Sequence, residues 1–143
     1  MYSTLEKTIL LKSVSLFAEI PAETLSRVAQ ITEEVSFPAH ATIFSDGDYG
    51  DCLYIVAAGV VRIQKGGKEL AVLRKGQCLG EMAVLDQAPR SADAAVLEDT
   101  TLLKVTQEDF FEVMSGHPQI MNAIIRLLTG RLREANEKLA EKE

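Results

Sequence analysis

The stretch VVRIQKGGKELAVLRKG at residues 60–76 indicates two short strands joined by a tight turn. Glycine adopts the positive φ that such turns require, so KGGK at 65–68 predicts the turn itself. Similar short apolar runs, separated by Pro, Gly and Asp, recur on both sides of this stretch, from residue 34 to about 105. Short strands at this spacing predict an antiparallel roll or barrel.

Helical patterns flank this β region. Ser3 and Glu6 have the spacing of a capping box, and Pro21 predicts the first position of a second helix. After residue 105, TQED at 106–109 repeats the capping pattern, and a turn is expected at residues 115–116. Pro118 then opens a long helix, on which apolar residues recur at helical spacing.

Length and composition indicate one globular domain that works inside the cell. The chain has 143 residues, 47% of them hydrophobic, and a net charge of −6. Arg126, Arg131 and Arg133 lie among glutamates, which is typical of a solvated helix face, so we expect no nucleic-acid binding by this chain alone. No apolar run approaches the ~20 residues of a membrane span, and no signal peptide is evident, so we expect a cytoplasmic protein.

The sequence offers no clear catalytic or metal-binding set. His40 and His117 lie far apart in polar turns, so we expect no metal site. Cys52 and Cys78 lack metal-ligand spacing and are expected to be reduced, buried, small apolar residues. No nucleophile–base pair stands out, so we expect a protein that is not an enzyme.

The exception within the β region is GEMAVLDQAPRSADA at residues 80–94, whose first half favours a short helix. A helix N-terminus offers free N–H groups and partial positive charge, and Gly80 lets a ligand approach the backbone. Arg90 adds a planar fork that matches phosphate oxygens, and Ser91 adds a hydroxyl. These groups predict a phosphate site.

The carboxylate of Glu81 indicates which other groups the ligand must carry. A carboxylate only accepts hydrogen bonds, so it needs a hydroxyl or an amine donor, and a sugar hydroxyl beside a phosphate indicates a nucleotide. The alternative is structural: Glu81 and Arg90 pair with each other at a strand–helix junction. Spacing alone leaves both interpretations open.

GEMAVLDQAPRSA resembles the phosphate-binding cassette of the cyclic nucleotide-binding domain family. The resemblance extends to GDYGDCLYIVAAGVVRI, with Gly47, Gly50 and Gly59 at expected turns. It implies an antiparallel eight-stranded β-roll, jelly-roll-like, with N-terminal and C-terminal helices. It also implies a single domain over 1–143, with N-terminal helices at 1–33, the roll at 34–105 including the cassette at 79–92, and C-terminal helices at 106–143.

The resemblance also implies roles for individual residues. Glu81 would accept the ribose 2′-hydroxyl and Arg90 would hold the exocyclic phosphate oxygens of cAMP or cGMP. The expected ligand-binding residues are Gly80, Glu81, Met82, Ala83, Arg90, Ser91 and Ala92, with Ile63, Leu70 and Ala71 lining the base. Residues 124–128 would cap the base. Leu79, in place of an aromatic residue, and Asp93 depart from the family pattern.

These implications lead to a regulatory module that converts nucleotide binding into movement of its C-terminal helices. The output domain or partner is expected outside this sequence. The alternative is a degenerate member that serves only for dimerisation or docking. Residues 121–139 form a stripe longer than the roll needs, so we expect a homodimer or a partner helix there. The alternative is a frayed, solvated tail, because a coiled coil of about two heptads is marginal. Neither Glu81 nor Arg90 is expected in the core.

Overall fold

Two four-stranded antiparallel sheets form the centre of the molecule. The computed structural model describes residues 1–86 and 88–141, with the side chains of Met82, Ala83 and Asp86 outside that description. Its strands are β1 Glu33–Phe37, β2 Thr42–Phe44, β3 Cys52–Ala58, β4 Val61–Lys65, β5 Lys68–Leu73, β6 Cys78–Leu79, β7 Asp93–Val96 and β8 Thr100–Thr106. One sheet has the order β1-β8-β3-β6 and the other β2-β7-β4-β5. Within the described ranges, this confirms the eight-stranded roll.

Helices form the N-terminal and C-terminal segments of the chain, and one short helix interrupts the roll. They are α1 Thr4–Ser13, α2 Ala22–Ile31, α3 Glu81–Asp86, α4 Gln107–Gly116 and α5 Pro118–Glu141, with a 3-10 turn at Ser15–Phe17. The capping box of Ser3 and Glu6 is confirmed, and Thr106 accepts a hydrogen bond from the Asp109 N–H. Pro21 is the N-cap of α2 rather than its first residue. The turn after α4 comes at His117, because the helix continues through Gly116.

The core has two layers that share the β3–β8 sheet. The helices pack on one face of this sheet, where the rings of Phe17 and Phe110 meet edge to face with their centres 6.2 Å apart. Val56, Val61 and Leu102 are among the buried residues of the second cluster, between the two sheets. Partly buried Phe44, Ile63 and Leu73 extend this second cluster outward. The space between the sheets therefore remains apolar up to its edge.

The β4–β5 hairpin shows how the turn chemistry determines local geometry. Gly66 and Gly67 have φ of 59° and 79°, which confirms the predicted tight turn. The register shifts between Ile63 and Gln64, so one residue of β5 is extra at this point. This irregularity changes which side chains of β5 face inward.

Within residues 1–86 and 88–141, no helix combines the length and apolar character that crossing a bilayer requires.

Candidate ligand-binding site

A cavity of about 340 Å³ lies at the edge of the space between the two sheets. Its apolar wall is formed by Phe44, Ile63 and Leu73, and its polar wall by Gly80, Glu81 and residues 88–92. Arg131 of α5 reaches it from the C-terminal helix. Strands therefore provide the apolar wall, the loop segments around α3 provide most of the polar wall, and α3 and α5 each contribute one charged residue.

Arg90 is the most buried charged group of this site, with only 5% of its surface exposed. Its Nη2 donates to the carbonyl oxygen of Cys52 at 2.8 Å and its Nη1 to that of Gly80 at 3.1 Å. The guanidinium carbon lies 4.3 Å from the centre of the Phe44 ring, in cation–π geometry. The expectation that Arg90 lies outside the core was wrong, because backbone carbonyls and an aromatic face replace water around its charge.

No carboxylate of the described residues lies within ion-pair distance of Arg90. Its Nε is buried and has no hydrogen-bond partner. A buried charge without a counter-ion is costly, so this guanidinium is a candidate for contact with an anion. The structural alternative, a Glu81–Arg90 pair, is not formed.

Gly80 allows the guanidinium to lie where it does. Its φ is +84°, a left-handed conformation that favours glycine. A Cβ at this position would overlap Nη1 of Arg90 and would come within 3.3 Å of the carbonyl oxygen of Cys52. Both the backbone angle and the lack of a side chain are therefore required.

Glu81 begins α3 and pairs with a residue that the sequence did not suggest. Its side chain is 15% exposed, and its Oε1 accepts a hydrogen bond from Nη2 of Arg131 at 3.2 Å. Arg131 is 47% exposed and 50 positions away along the chain. We expected Arg131 only on a solvated helix face, and no local pattern links it to Glu81.

The apolar wall only partly matches the residues expected from strand register. Ile63 lines the cavity, while Leu70 and Ala71 are not among its lining residues. Leu70 lies beside the register shift of the β4–β5 hairpin and is 55% exposed, so its expected place against the base is corrected. Ala71 is paired with Ile63, but its short side chain does not reach the cavity. Leu73 and Phe44, which we did not predict, complete the wall.

The remaining expected residues divide into three groups. Ser91 and Ala92 line the cavity beside Arg90. Met82 and Ala83 belong to α3, but their side chains lie outside the described part of the structure. Residues 124–128, expected to cap the base, do not line the cavity: Ile124 is buried in the helical core, and Arg131 is the α5 residue that lines it.

The thiols are further titratable groups near the site. Both cysteines are free, and burial, followed by the charge of Glu81, raises the pKa of the Cys78 thiol well above its ordinary value. These surroundings therefore favour the protonated form of this thiol. Across the described residues, no group of three His, Cys, Asp or Glu side chains is placed to hold a metal ion.

Comparison with known proteins identifies relatives that match most of this chain. The chain is 37% identical over 134 residues to the Cyclic AMP receptor protein of Thermus thermophilus, an alignment covering 90% of this chain and 62% of that protein. The crystal structure of Thermus thermophilus Catabolite Activator Protein superposes with a TM-score of 0.79 at 37% identity, over 88% of this chain and 62% of that one. The regulatory domain of Toxoplasma gondii PKA, co-crystallised with cAMP, superposes with a TM-score of 0.73 at 27% identity, over 77% and 44% of the chains.

The chain thus spans about 62% of the length of the Thermus receptor protein. The sequence model described as the Cyclic nucleotide-binding domain matches residues 34–117, more than half of the chain, including the cassette and both sheets apart from the first residue of β1. The chain belongs to the cyclic nucleotide-binding domain family.

Proposed function

We propose that this chain binds a cyclic nucleoside monophosphate, cAMP or cGMP, as a regulatory ligand. The observation that carries the proposal is Arg90, which is buried, lacks a carboxylate partner among the described residues and has an unpartnered Nε at the cavity. Such a group gains most from an anion that is itself shielded from water. A cyclic phosphate diester carries the single negative charge that one guanidinium balances.

The other contacts follow from the chemistry of the cavity walls. In the proposed complex, backbone N–H groups of Gly80, Ser91 and Ala92 share the phosphate charge with Arg90. The ribose 2′-hydroxyl donates to Glu81, and the base lies toward Ile63 and Leu73. This assignment gives each polar group of the cavity a partner of matching chemistry. It requires binding without catalysis, which agrees with the protonated thiol of Cys78.

We further propose that the nucleotide acts through α5. Glu81 is paired with Arg131 of α5 in this structure. A ribose hydroxyl that donates a hydrogen bond to Glu81 would therefore alter a contact of that helix. A ligand shifts the position of α5 only by its differential affinity for the two arrangements. A thousandfold difference would supply about 4 kcal/mol. The output then lies with a further domain or a separate partner, and the free thiols suit the reducing cytoplasm.

The exposed stripe of α5 is the proposed contact with a second copy or a partner helix. Ile124 packs into the core, whereas Met121, Ile125, Leu128, Leu132 and Leu139 are all at least 43% exposed. Apolar side chains repeated along one helix face suit a two-helix seam. Sedimentation at micromolar concentration tests this seam by comparing the parent with the double variant Leu132→Glu, Leu139→Glu.

The sedimentation control changes charge without touching the stripe. The double variant Arg133→Gln, Lys138→Gln shifts the net charge by the same −2 on the other faces of α5. We expect the parent and this control to be dimeric, and the leucine variant to be monomeric. A monomeric parent, with or without nucleotide, would exclude the seam.

The ligand proposal is tested by melting the refolded, ligand-free chain with cAMP, cGMP or AMP. Linkage predicts that a nucleotide at a hundredfold excess over its Kd stabilises the fold by about 2.7 kcal/mol. Linear AMP should stabilise it much less, because its phosphate is a dianionic monoester with different geometry. A melting temperature that neither cyclic nucleotide changes would refute the proposal.

A further inference from the structure

Asp93 is an acidic residue placed two positions after Ser91, next to the proposed phosphate site. On charge alone it should weaken the binding of an anion. Yet its Oδ1 accepts a hydrogen bond from the backbone N–H of Asp46 at 2.7 Å. Asp93 begins β7 and is only partly exposed, so this carboxylate ties the strand to the loop at residues 45–48.

The loop at 45–48 is bonded directly to the backbone of Arg90. The N–H of Gly47 donates to the carbonyl oxygen of Arg90 at 2.8 Å, and the N–H of Arg90 donates to that of Asp48 at 2.7 Å. The loop is itself closed, because the N–H of Ser45 donates to Oδ2 of Asp48 at 2.9 Å. Arg90 therefore cannot move without the loop.

The residues on either side of this loop hold the side chain of Arg90. Phe44, immediately before the loop, places its ring against the guanidinium. Cys52, at the start of β3, accepts the 2.8 Å hydrogen bond from Nη2. The loop thus fixes the backbone of Arg90, and the neighbouring segment at residues 44–52, together with the carbonyl oxygen of Gly80, holds its charged end.

We propose that Asp93 is a positioning residue for the phosphate group of the bound nucleotide. Its carboxylate oxygen anchors the loop at 45–48 through Asp46, and the loop holds Arg90 in its binding orientation, a preorganisation that improves affinity. This inference rests on the proposed function. The hydrogen bond that Asp93 accepts favours nucleotide binding, whereas its negative charge opposes it. Because the two effects have opposite signs, variants that remove one or both can separate them.

The separation uses Asp93→Asn, which keeps an acceptor oxygen and removes the charge, beside Asp93→Ala, which removes both. Calorimetric titration of the chain with cAMP should give Asp93→Asn an affinity equal to or above that of the parent. Asp93→Ala should bind about tenfold more weakly than Asp93→Asn, because binding must then order the released loop and Arg90. Equal affinities for the two variants would overturn the proposal.

Asp99 provides a matched control. Its Oδ1 accepts from the backbone N–H of Ala39 at 2.9 Å, the same kind of contact, and it does not line the cavity. Asp99→Ala should lower the melting temperature about as much as Asp93→Ala and leave the affinity for cAMP unchanged. If both variants weaken binding equally, the effect is general destabilisation and the positioning role fails.

Amide hydrogen exchange gives a readout that does not depend on nucleotide binding. Asp93→Ala should speed the exchange of the Gly47 and Arg90 amides, which form the loop–Arg90 bonds, whereas Asp93→Asn and Asp99→Ala should not. Unchanged exchange of these two amides would refute the anchoring step. If the variants show this exchange pattern but the parent does not bind cAMP, the result contradicts the proposed function and not the anchoring step.

Discussion

The two ends of the cavity are held by different kinds of contact. At one end, Arg90 is buried and fixed by two backbone carbonyls, a ring and a closed loop. At the other end, Glu81 is held by Arg131, which is half exposed and lies near the middle of α5. The proposed phosphate end is therefore already formed in the ligand-free structure, and the proposed ribose end depends on a contact that solvent can reach.

If the proposed function holds, this difference separates a binding end of the cavity from a signalling end. A rigid charged end supplies affinity, because a preformed group loses little entropy on binding. A weak end supplies movement, because an exposed ion pair contributes only about 0–1 kcal/mol and is easily exchanged. The substitutions below test this division, beginning with the largest expected effect.

Arg90→Ala should weaken cAMP binding by about 100-fold or more, because two hydrogen bonds to a charged group contribute ~1.5–3 kcal/mol each. Arg90→Lys should not restore binding, since an ammonium cannot reproduce the planar fork. Calorimetry measures both variants. Arg62→Ala is the control, because Arg62 also has a buried Nε without a partner but does not line the cavity. An affinity for Arg90→Ala near that of the parent would remove Arg90 from the site.

Gly80→Ala should weaken binding by about 30-fold, because the new methyl group displaces the guanidinium from one of its carbonyl partners. Gly67→Ala is the control: it has a similar φ of 79° but nothing within 4 Å of the added Cβ. Both changes should cost ~1–2 kcal/mol in the free energy of unfolding, measured with urea, from backbone strain. Only Gly80→Ala should change the affinity, and equal effects on affinity would show that strain alone is responsible.

Glu81→Ala should weaken cAMP binding by about tenfold, the contribution of one hydrogen bond to a charged acceptor. The parent should also prefer cAMP to 2′-deoxy-cAMP by about this factor, and Glu81→Ala should lose the preference. Competition with a fluorescent analogue measures the two ligands side by side. A variant that still discriminates between them would show that another group binds the 2′-hydroxyl.

The sequence predicted the cavity residues near Arg90 better than the partner of Glu81 and the apolar wall, and the reason is distance along the chain. Gly80, Arg90, Ser91 and Ala92 meet within one local motif, so a pattern of residues contains most of their geometry. The Glu81–Arg131 pair and the wall formed by Phe44 and Leu73 come from remote elements, which only the packed roll brings together.

Two predictions were wrong for equally specific reasons: the place of Leu70 in the apolar wall and the location of Arg90 outside the core. Leu70 was predicted to line the base on the assumption that side chains alternate regularly along β5. The register shift in the β4–β5 hairpin breaks this alternation. Arg90 was expected outside the core because its partners, the carbonyl oxygens of Cys52 and Gly80, are backbone atoms that leave no trace in residue types.

Arg131→Gln should have the smallest effect, changing cAMP affinity by less than about fivefold, because an exposed ion pair contributes at most about 1 kcal/mol. Arg126→Gln is the matched control. Arg126 also belongs to α5 and forms an ion pair with Glu19, in which both side chains are more than half exposed, but it does not line the cavity. Calorimetry at low and high salt measures both variants. A loss of tenfold or more for Arg131→Gln alone would show that Arg131 contacts the nucleotide, and the ribose end would then belong to the preformed part of the site.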